Sequence, residues 1–291
     1  MADAAPPFRS GTVPGGTGAL GRQARCPVRA FCQDRLGARQ LEALGFGVPA
    51  RLRGIAAHRA AEQLLSLGTD HASLAAKEQS VAASAQRALA GVFRRTRNYL
   101  SALFDLELDQ LQRALRALLR AEAERAEFVI RAAEQETVIT LGSLTFNVRV
   151  DRIDELADGT LAIVDYKTDE RATGSDWFGE RLRDAQVPLY ATHAAERVSA
   201  AAVTRLSLPD VRYFGFWRGN SFPGRPSRAA HPDVDAQLEL WRTQVALLAA
   251  EFGDGDTRIF TADYEDAAGA YAPLTRVFEQ LALTRGSAAQ W

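Results

Sequence analysis

Two neighbouring stretches of the chain carry a residue pattern that strongly favours a β-hairpin. Residues 144–151 read Leu-Thr-Phe-Asn-Val-Arg-Val-Asp, with an apolar side chain at every second position. This period of two is typical of a strand with one buried face. Residues 161–167 form a second, more apolar run, and Asp158-Gly159 between the two runs is a strong turn signal. The sequence therefore predicts a hairpin, and the rest of the chain is organised around it.

The length of the hairpin loop decides whether Asp151 and Asp165 face each other. A two-residue loop would set Asp151 opposite Tyr166, on the face away from Asp165. A three-residue loop over residues 157–159 sets Asp151 opposite Asp165 and gives Gly159 the left-handed position that this loop class needs. Directly opposed residues have Cβ atoms about 4.5–5.5 Å apart. We therefore predict the three-residue loop and two neighbouring carboxylates.

A pair of close carboxylates indicates a cation site, because the two charges repel unless a cation lies between them. Hard oxygen ligands favour Mg²⁺ or Mn²⁺ over zinc. Lys167 projects from the same face as Asp165, where it could position an attacking water or stabilise the charge that develops on a phosphate. An Asp-x-Lys run on its own is more often part of a solvated hairpin, so the wider pattern has to decide.

That wider pattern is specific. The run RVDRIDELADGTLAIVDYKT, followed by DAQVPLY, resembles the RecB-type branch of the PD-(D/E)XK nucleases. More closely, it is similar to the C-terminal nuclease domain of AddB-like DNA-repair proteins. The resemblance implies an α/β fold of the restriction-endonuclease-like type, with a small mixed central sheet flanked by helices and an N-terminal helical lobe. It implies that Asp151 and Asp165 are catalytic metal ligands, that Lys167 is the catalytic lysine, and that Gln186 and Tyr190 contact the substrate.

A helix upstream of the hairpin is the expected source of a further metal ligand. Residues 54–64, GIAAHRAAEQL, read as an amphipathic helix with His58 and Glu62 on one face. A single helical histidine is usually a surface or core residue. This segment, however, is similar to the RecB-type Gly-x-x-x-His helix, so the resemblance implies that His58 binds the metal and that Glu62 is structural. Glu134 and Glu136 both resemble the upstream acid of some relatives, and the choice between them stays open.

The cysteines bear on the cofactor. The segment CPVRAFCQDRLGA resembles the opening of the AddB-type nuclease domain, in which some members use the first cysteine with three near the C-terminus to hold a [4Fe–4S] cluster. This chain has two cysteines, Cys26 and Cys32, and neither lies near the C-terminus. Four ligands are not available, so no iron-sulfur cluster is expected. We predict that both cysteines are buried apolar residues and that any join between the two ends is made by packing.

The length and composition favour one large domain with a helical lobe. Residues 1–25, rich in Gly, Pro and Ala, are expected to form a flexible lead-in. Residues 26–291 are expected to form the nuclease-like domain, with the helical lobe over 26–135 and the catalytic core with C-terminal helices over 136–291. Within the core, a further strand near 211–217 and a long helix over 234–252 are predicted.

Charge and hydropathy limit the partners. The net charge of −1 does not by itself indicate a nucleic-acid binder, so DNA contacts must be local. One basic-aromatic cluster (Arg94, Arg95, Arg97 and Tyr99) would suit a phosphate backbone, although a solvated helical face explains it more simply. The Gly-rich string at 16–21 lacks the preceding strand and the Lys-Ser/Thr pair that nucleotide sites need. With no apolar run of membrane length and no signal pattern, a cytoplasmic location without membrane association is expected.

The resemblance implies a Mg²⁺- or Mn²⁺-dependent deoxyribonuclease, an exonuclease acting on single-stranded DNA ends in repair and recombination. Relatives of this type usually end a longer helicase-like chain. The alternative is therefore a nuclease-like fragment or DNA-binding interaction module of a helicase–nuclease complex, weak or inactive without its helicase subunit. A two-carboxylate glycosidase would explain neither Lys167 nor the Gln-x-x-x-Tyr spacing.

Overall fold

The computed structural model describes residues 5–39, 47–93, 101–206, 211–228, 230–259 and 269–275. In this part of the chain a mixed β-sheet lies between two layers of helices. Its strands are β1 Gly11–Thr12, β2 Phe128–Leu141, β3 Leu144–Leu156, β4 Leu161–Lys167, β5 Val198–Leu206 and β6 Val211–Phe216. The helices are α1 Thr17–Arg25, α2 Pro27–Ala30, α3 Ala50–Leu64, α4 Leu74–Lys77, α5 Val81–Val92, α6 Ser101–Ala123, α7 Gln186–His193, α8 Val234–Asp254 and α9 Ala272–Thr275. The predicted fold class is confirmed.

Strand β3 is the branch point of the sheet. β2 pairs with β3 in antiparallel fashion along its whole length, and thus occupies one edge. The other edge is divided between two strands: β1 pairs in parallel with Leu144 and Thr145, whereas β4 pairs antiparallel with residues 152–155. Residues 146–151 have no strand partner on that side within the described chain, and we call this stretch the open edge of β3. β5 then follows β4 in parallel, and β6 follows β5 antiparallel.

The hairpin between β3 and β4 has the predicted loop. The ladder pairs Ile153 with Ile163 and Glu155 with Leu161, which leaves residues 157–159 as a three-residue connection. Gly159 in this loop has a φ of 76°, the left-handed value expected for it. The predicted loop length and register are therefore confirmed. Continued one pair beyond the end of the ladder, the same register sets Asp151 opposite Asp165.

Apolar side chains on both faces of the sheet build two cores. The first core lies between the sheet and α1, α7 and α8, and the second lies between the sheet and α3, α5 and α6. Residues of the central strand β4 alternate between them, with Ile163 in the first core and Val164 in the second. A strand buried on both faces is expected to be a nearly continuous apolar run, as this one is. Small residues allow close packing of α3, whose fully buried positions include Ala60 and Ala61.

The expectation of a flexible lead-in over residues 1–25 is wrong for residues 5–25. Val13 and Leu20 are buried in the first core, Leu20 completely, and the Phe8 N–H donates to a backbone carbonyl at the end of α8 (2.8 Å). Glycine content was a poor guide because Gly15 and Gly16 serve a turn here, with φ values of 81° and 54°. This segment supplies a strand and a helix to the fold.

The lobe boundary expected at residue 135 also needs correction. The helical part ends at Ala123, and β2 already begins at Phe128, so Glu134 and Glu136 lie inside a strand. The strand predicted near 211–217 and the long helix predicted over 234–252 are confirmed as β6 and α8. Among the described helices, none combines the length and apolar character needed to cross a membrane.

Four buried charges connect the second core to the hairpin. Arg152 donates two hydrogen bonds to Asp154 (2.6 and 2.8 Å) and one to Glu122 (2.8 Å). Arg125 pairs with Glu122 at 2.7 Å and with Asp154 at 2.8 Å. The hydroxyl of Tyr213 donates to Glu122 (2.9 Å). Two positive and two negative groups thus balance, which is the condition under which buried charges are tolerated. This network ties α6 to β3 and β6.

We expect Glu122→Gln to lower the free energy of unfolding at pH 7 by about 3–5 kcal/mol, because it leaves guanidinium charge buried without its counter-ion. The matched control is Glu124→Gln, two residues further on and exposed, which should change that free energy by less than about 0.5 kcal/mol. Urea denaturation of the three proteins measures both values. Equal stability of the two variants would contradict a structural role for the network.

The effect of Glu122→Gln on the free energy of unfolding should depend on pH. Burial opposes ionisation of Glu122, but Arg152 and Arg125 outweigh it and lower its pKa from the ordinary 4.5 to about 2. A lowered folded-state pKa means that the stabilisation is complete above about pH 4.5 and is lost as the pH falls towards 2. The stability difference between wild type and Glu122→Gln should therefore shrink over this acid range. A difference that stays constant down to the acid limit would contradict the ion pairing.

Candidate active site

Three potential metal ligands from three elements meet beside the open edge of β3. They are His58 on α3, Glu134 on β2 and Asp151 on β3, and one ligand atom of each lies within 4.8 Å of the others. Nδ1 of His58 is 3.3 Å from Oδ2 of Asp151. The structure thus brings together two residues that the sequence singled out, and it distinguishes Glu134 from Glu136 as the acid near them.

Asp151 is held where β3 and β4 separate. Its Oδ2 accepts a hydrogen bond from the backbone N–H of Tyr166 (2.7 Å). The two residues that flank Asp151 are buried on opposite sides of the sheet. Val150 lies in the first core, and the Arg152 side chain is held in the buried network beside the second core. The Tyr166 ring also packs edge-on against His58, with centroids 6.0 Å apart. Because both neighbours are buried, the Asp151 carboxylate is fixed at the point where β3 and β4 separate.

Glu134 reaches the cluster through an unusual backbone conformation. Its φ of 51° is the single positive value among the non-glycine residues that the structure describes. Its neighbours pair as Ala133 with Arg152 and Gln135 with Val150, so Glu134 lies opposite Asp151 in the register. A left-handed residue other than glycine costs of order 1–3 kcal/mol and often marks a functional position. Residue type does not encode this conformation, which is why the sequence could not choose Glu134.

Asp165 and Lys167 lie beside this cluster. Asp165 is 2% exposed. Nζ of Lys167 is 3.0 Å from Oδ2 of Asp165 and 3.5 Å from Oδ2 of Asp184. The Lys167 ammonium therefore forms an ion pair with the buried Asp165 carboxylate. Asp184 also accepts from the backbone N–H of Gln186 (3.1 Å). Asp165 is thus next to the three-residue cluster and not one of its members.

Burial and a neighbouring negative charge raise the pKa of two carboxyl groups of the site. Burial raises the pKa of Asp165 to about 7; Lys167 opposes the rise, and the charge of Asp151 adds to it. Burial, followed by the charge of Asp151, also raises the pKa of Glu134, against the opposing effect of Arg149. Burial is the largest cause for both groups, and the neighbouring Asp151 charge adds to it, as expected for close carboxylates shielded from water.

The two basic groups of the site respond in the opposite sense. Burial disfavours the charged form of His58, but its hydrogen bond to Asp151 and the charge of that residue outweigh burial and raise its pKa. Burial likewise opposes charge on Lys167, and the charges of Asp165 and Asp184 outweigh it, so its pKa is raised. Lys167 therefore carries its positive charge at neutral pH.

These residues fit a divalent cation. They offer an imidazole nitrogen from His58 and carboxylate oxygens from Glu134 and Asp151, with the Asp165 carboxylate beside them. Carboxylate oxygens are the ligands that Mg²⁺ and Mn²⁺ prefer, and a buried cation would relieve the repulsion between these groups.

The two residues predicted to contact substrate have different surroundings. The side-chain amide of Gln186 donates to the backbone carbonyl of Arg149 (2.5 Å), on the open edge of β3. It therefore joins the start of α7 to the strand that carries Asp151. Tyr190 packs its ring into the first core, where burial and the charge of Glu196 raise its pKa. The basic-aromatic cluster at residues 94, 95, 97 and 99 lies outside the described residues.

The predicted burial of both cysteines is confirmed, with 2% exposure for Cys26 and 6% for Cys32. Cys26 packs against Ile259 and Ala272. Close by, the hydroxyl of Tyr271 donates to the backbone carbonyl of Ala38 (2.8 Å). The N-terminal helices and the C-terminal segment are therefore joined by packing and a hydrogen bond, in the way that the lack of further cysteines required.

Comparison with known proteins agrees with this geometry. No curated protein matches the chain significantly. A family model described as the PD-(D/E)XK nuclease superfamily matches residues 18–264, a span that runs from the first turn of α1 to beyond α8 and includes every residue of the site. The mixed sheet flanked by helices is consistent with the fold of that superfamily, whose members are generally nucleases. The match covers most of the chain, and the protein belongs to the PD-(D/E)XK nuclease superfamily.

Proposed function

We propose that the protein is a divalent-metal-dependent deoxyribonuclease that hydrolyses phosphodiester bonds at single-stranded DNA ends during repair and recombination. The observation that carries this proposal is the convergence of His58, Glu134 and Asp151 within 4.8 Å, with a charged lysine alongside. Membership of the superfamily supports nuclease chemistry. The preference for single-stranded ends and the role in repair rest on the RecB-type resemblance of the hairpin and the DAQVPLY run.

The ion expected in this site is Mg²⁺ or Mn²⁺, held by His58, Glu134 and Asp151 with Asp165 beside them. When bound, such an ion polarises the phosphate and lowers the pKa of a coordinated water. The carboxylates of Glu134 and Asp151 would supply the negative charge that attracts it, and Asp151 does so from a buried position, at 7% exposure.

Lys167 provides the positive charge for the reaction itself. As the water oxygen bonds to phosphorus and the bond from phosphorus to the leaving sugar oxygen breaks, negative charge grows on the phosphate oxygens. An ammonium group that is fixed before the reaction stabilises that charge without reorganisation. Asp165 and Asp184 keep Nζ of Lys167 in place, at 3.0 and 3.5 Å. Gln186 holds the adjoining wall of the site to β3.

The alternative, an interaction module that needs a helicase subunit, would gain support if the missing cysteine cluster left the two ends of the domain loose. Cys26 instead packs against Ile259 and Ala272, and Tyr271 bonds to the N-terminal segment. These contacts support a site that is assembled within the single chain, and therefore favour the enzyme.

Lys167→Ala tests the proposed chemistry. The chain has two lysines, so Lys77→Ala, at the end of α4, is the natural control. With end-labelled single-stranded DNA and Mg²⁺ or Mn²⁺, we expect Lys167→Ala to cut at a rate lower by about 10²–10³, the typical cost of losing one group that stabilises developing charge. Lys77→Ala should cut at the wild-type rate, and EDTA should stop all cleavage.

Two results would contradict this expectation. If Lys167→Ala cuts as fast as wild type, the cleavage does not come from this site. If wild type and Lys167→Ala are equally inert while both bind a helicase partner, the interaction module is the better account.

A second pair of variants tests the metal ligands. Glu134→Gln should raise the Mn²⁺ concentration for half-maximal cleavage by at least about tenfold, because it removes one charged oxygen ligand. Glu136→Gln, two residues along β2 and exposed, should leave that concentration unchanged. If Glu136→Gln shows the larger effect, the upstream acid has been assigned to the wrong residue.

A further inference from the structure

Arg149 places a permanent positive charge on one of the proposed metal ligands. It lies on β3 two residues before Asp151, and its Nε contacts Oε2 of Glu134. The Glu134 side chain is nearly buried, at 10% exposure, whereas that of Arg149 is 57% exposed. A guanidinium therefore covers, from the solvent side, a carboxylate that a divalent cation would need.

The backbone of Arg149 is fixed although its side chain is not. Its carbonyl accepts the Gln186 amide, and the residue pairs with Glu136 in the ladder between β2 and β3. The guanidinium is more than half exposed, and a surface ion pair of this kind contributes about 0–1 kcal/mol. The side chain can thus leave Glu134 at little cost while its attachment point keeps the same distance from the site.

A divalent cation would change the balance at Glu134. The cation and the guanidinium compete for the same carboxylate and repel each other. Once the carboxylate charge is taken up by the metal, Arg149 becomes an uncompensated cation at the rim of the site. Its planar fork of N–H donors matches the oxygens of a phosphate in shape and charge.

We propose that Arg149 exchanges partners: it is the counter-ion of Glu134 in the metal-free protein, and it binds a backbone phosphate of the substrate strand once the metal occupies the carboxylates. This rests on the proposed function, since it requires both a metal ion and a nucleic-acid substrate. Arg149 would thus be a substrate-binding residue that is free to bind phosphate only when the metal is bound.

The exchange predicts opposite effects on two binding equilibria. In Arg149→Gln, the metal no longer displaces a cation, so Mn²⁺ should bind about tenfold more tightly, as expected for removing one unit charge at roughly 6 Å from a divalent ion in a water-like medium. Titration of Mn²⁺ into DNA-free protein, followed by the electron paramagnetic resonance of free Mn²⁺, measures this affinity without any catalysis.

Single-stranded DNA should bind more weakly to Arg149→Gln. Affinity is measured in the Lys167→Ala background with Mn²⁺ present, so that cleavage does not interfere. The loss of one phosphate contact should lower the slope of log affinity against log salt by about 0.7. Arg149→Lys keeps the charge and should retain both the wild-type Mn²⁺ affinity and the wild-type slope.

Arg131→Gln is the matched control. Arg131 is half-exposed on β2 and pairs with Glu155 (3.3 Å) and Glu196 (3.5 Å), away from the three ligands. It should change neither equilibrium by more than about twofold, given the screening of exposed charges by salt. Thermal unfolding of each variant confirms that the fold is retained.

Unchanged or weaker Mn²⁺ binding in Arg149→Gln would overturn the proposal, because Arg149 would then not compete with the metal. Tighter Mn²⁺ binding with an unchanged salt slope would also overturn it, because the phosphate contact would be missing. Failure of the wild type itself to bind Mn²⁺ would instead contradict the proposed function, so the two failures are distinguishable.

Discussion

The hydrogen bond from the Tyr166 N–H to the Asp151 carboxylate stands at the point where β3 leaves β4, and the geometry of the site depends on it. The Asp151 carboxylate accepts the N–H that a carbonyl of a neighbouring strand would otherwise accept. The two strands can therefore separate without leaving a buried N–H unpaired. Val150 and Arg152 are buried on opposite sides of the sheet. The carboxylate is therefore fixed by its neighbours as well as by its own bond, as a preorganised site requires.

The hairpin could be predicted from the sequence because its determinants are local. Alternating residues specify a buried face, and the glycine at position 159 selects the loop that sets the register. Glu134 could not be chosen, because its approach to the site depends on a left-handed backbone conformation that glutamate does not favour. Arg152 and Asp154 were also missed, since charged residues are seldom fully buried unless their partners, distant in sequence, are known. For residues 5–25 the Gly-, Pro- and Ala-rich composition predicted flexibility, but Val13 and Leu20 are buried and hold the segment in the first core.

Gln186, which was predicted to contact substrate, has a structural role. The Gln186 amide donates to a backbone carbonyl on the open edge of β3, where the described chain provides no strand partner. It therefore binds a carbonyl that a neighbouring strand would otherwise bind. The next turn of α7 buries Tyr190 in the first core. Both residues of the Gln-x-x-x-Tyr spacing thus hold the helix against the sheet. Asp184, just before them, contacts Lys167, so this anchoring also helps to position the Lys167 ammonium.

The buried group of two arginines and two acids has a consequence for how the chain folds. Glu122 and Arg125 come from the end of the helical lobe, and Arg152 and Asp154 come from the hairpin. The contacts of Arg152 with Glu122 and of Arg125 with Asp154 join these two ion pairs. A species with only one region formed would lose these contacts between the pairs, and it would therefore be less stable than the complete fold. The lobe and the sheet should consequently fold and unfold in one cooperative transition, despite their separation along the chain.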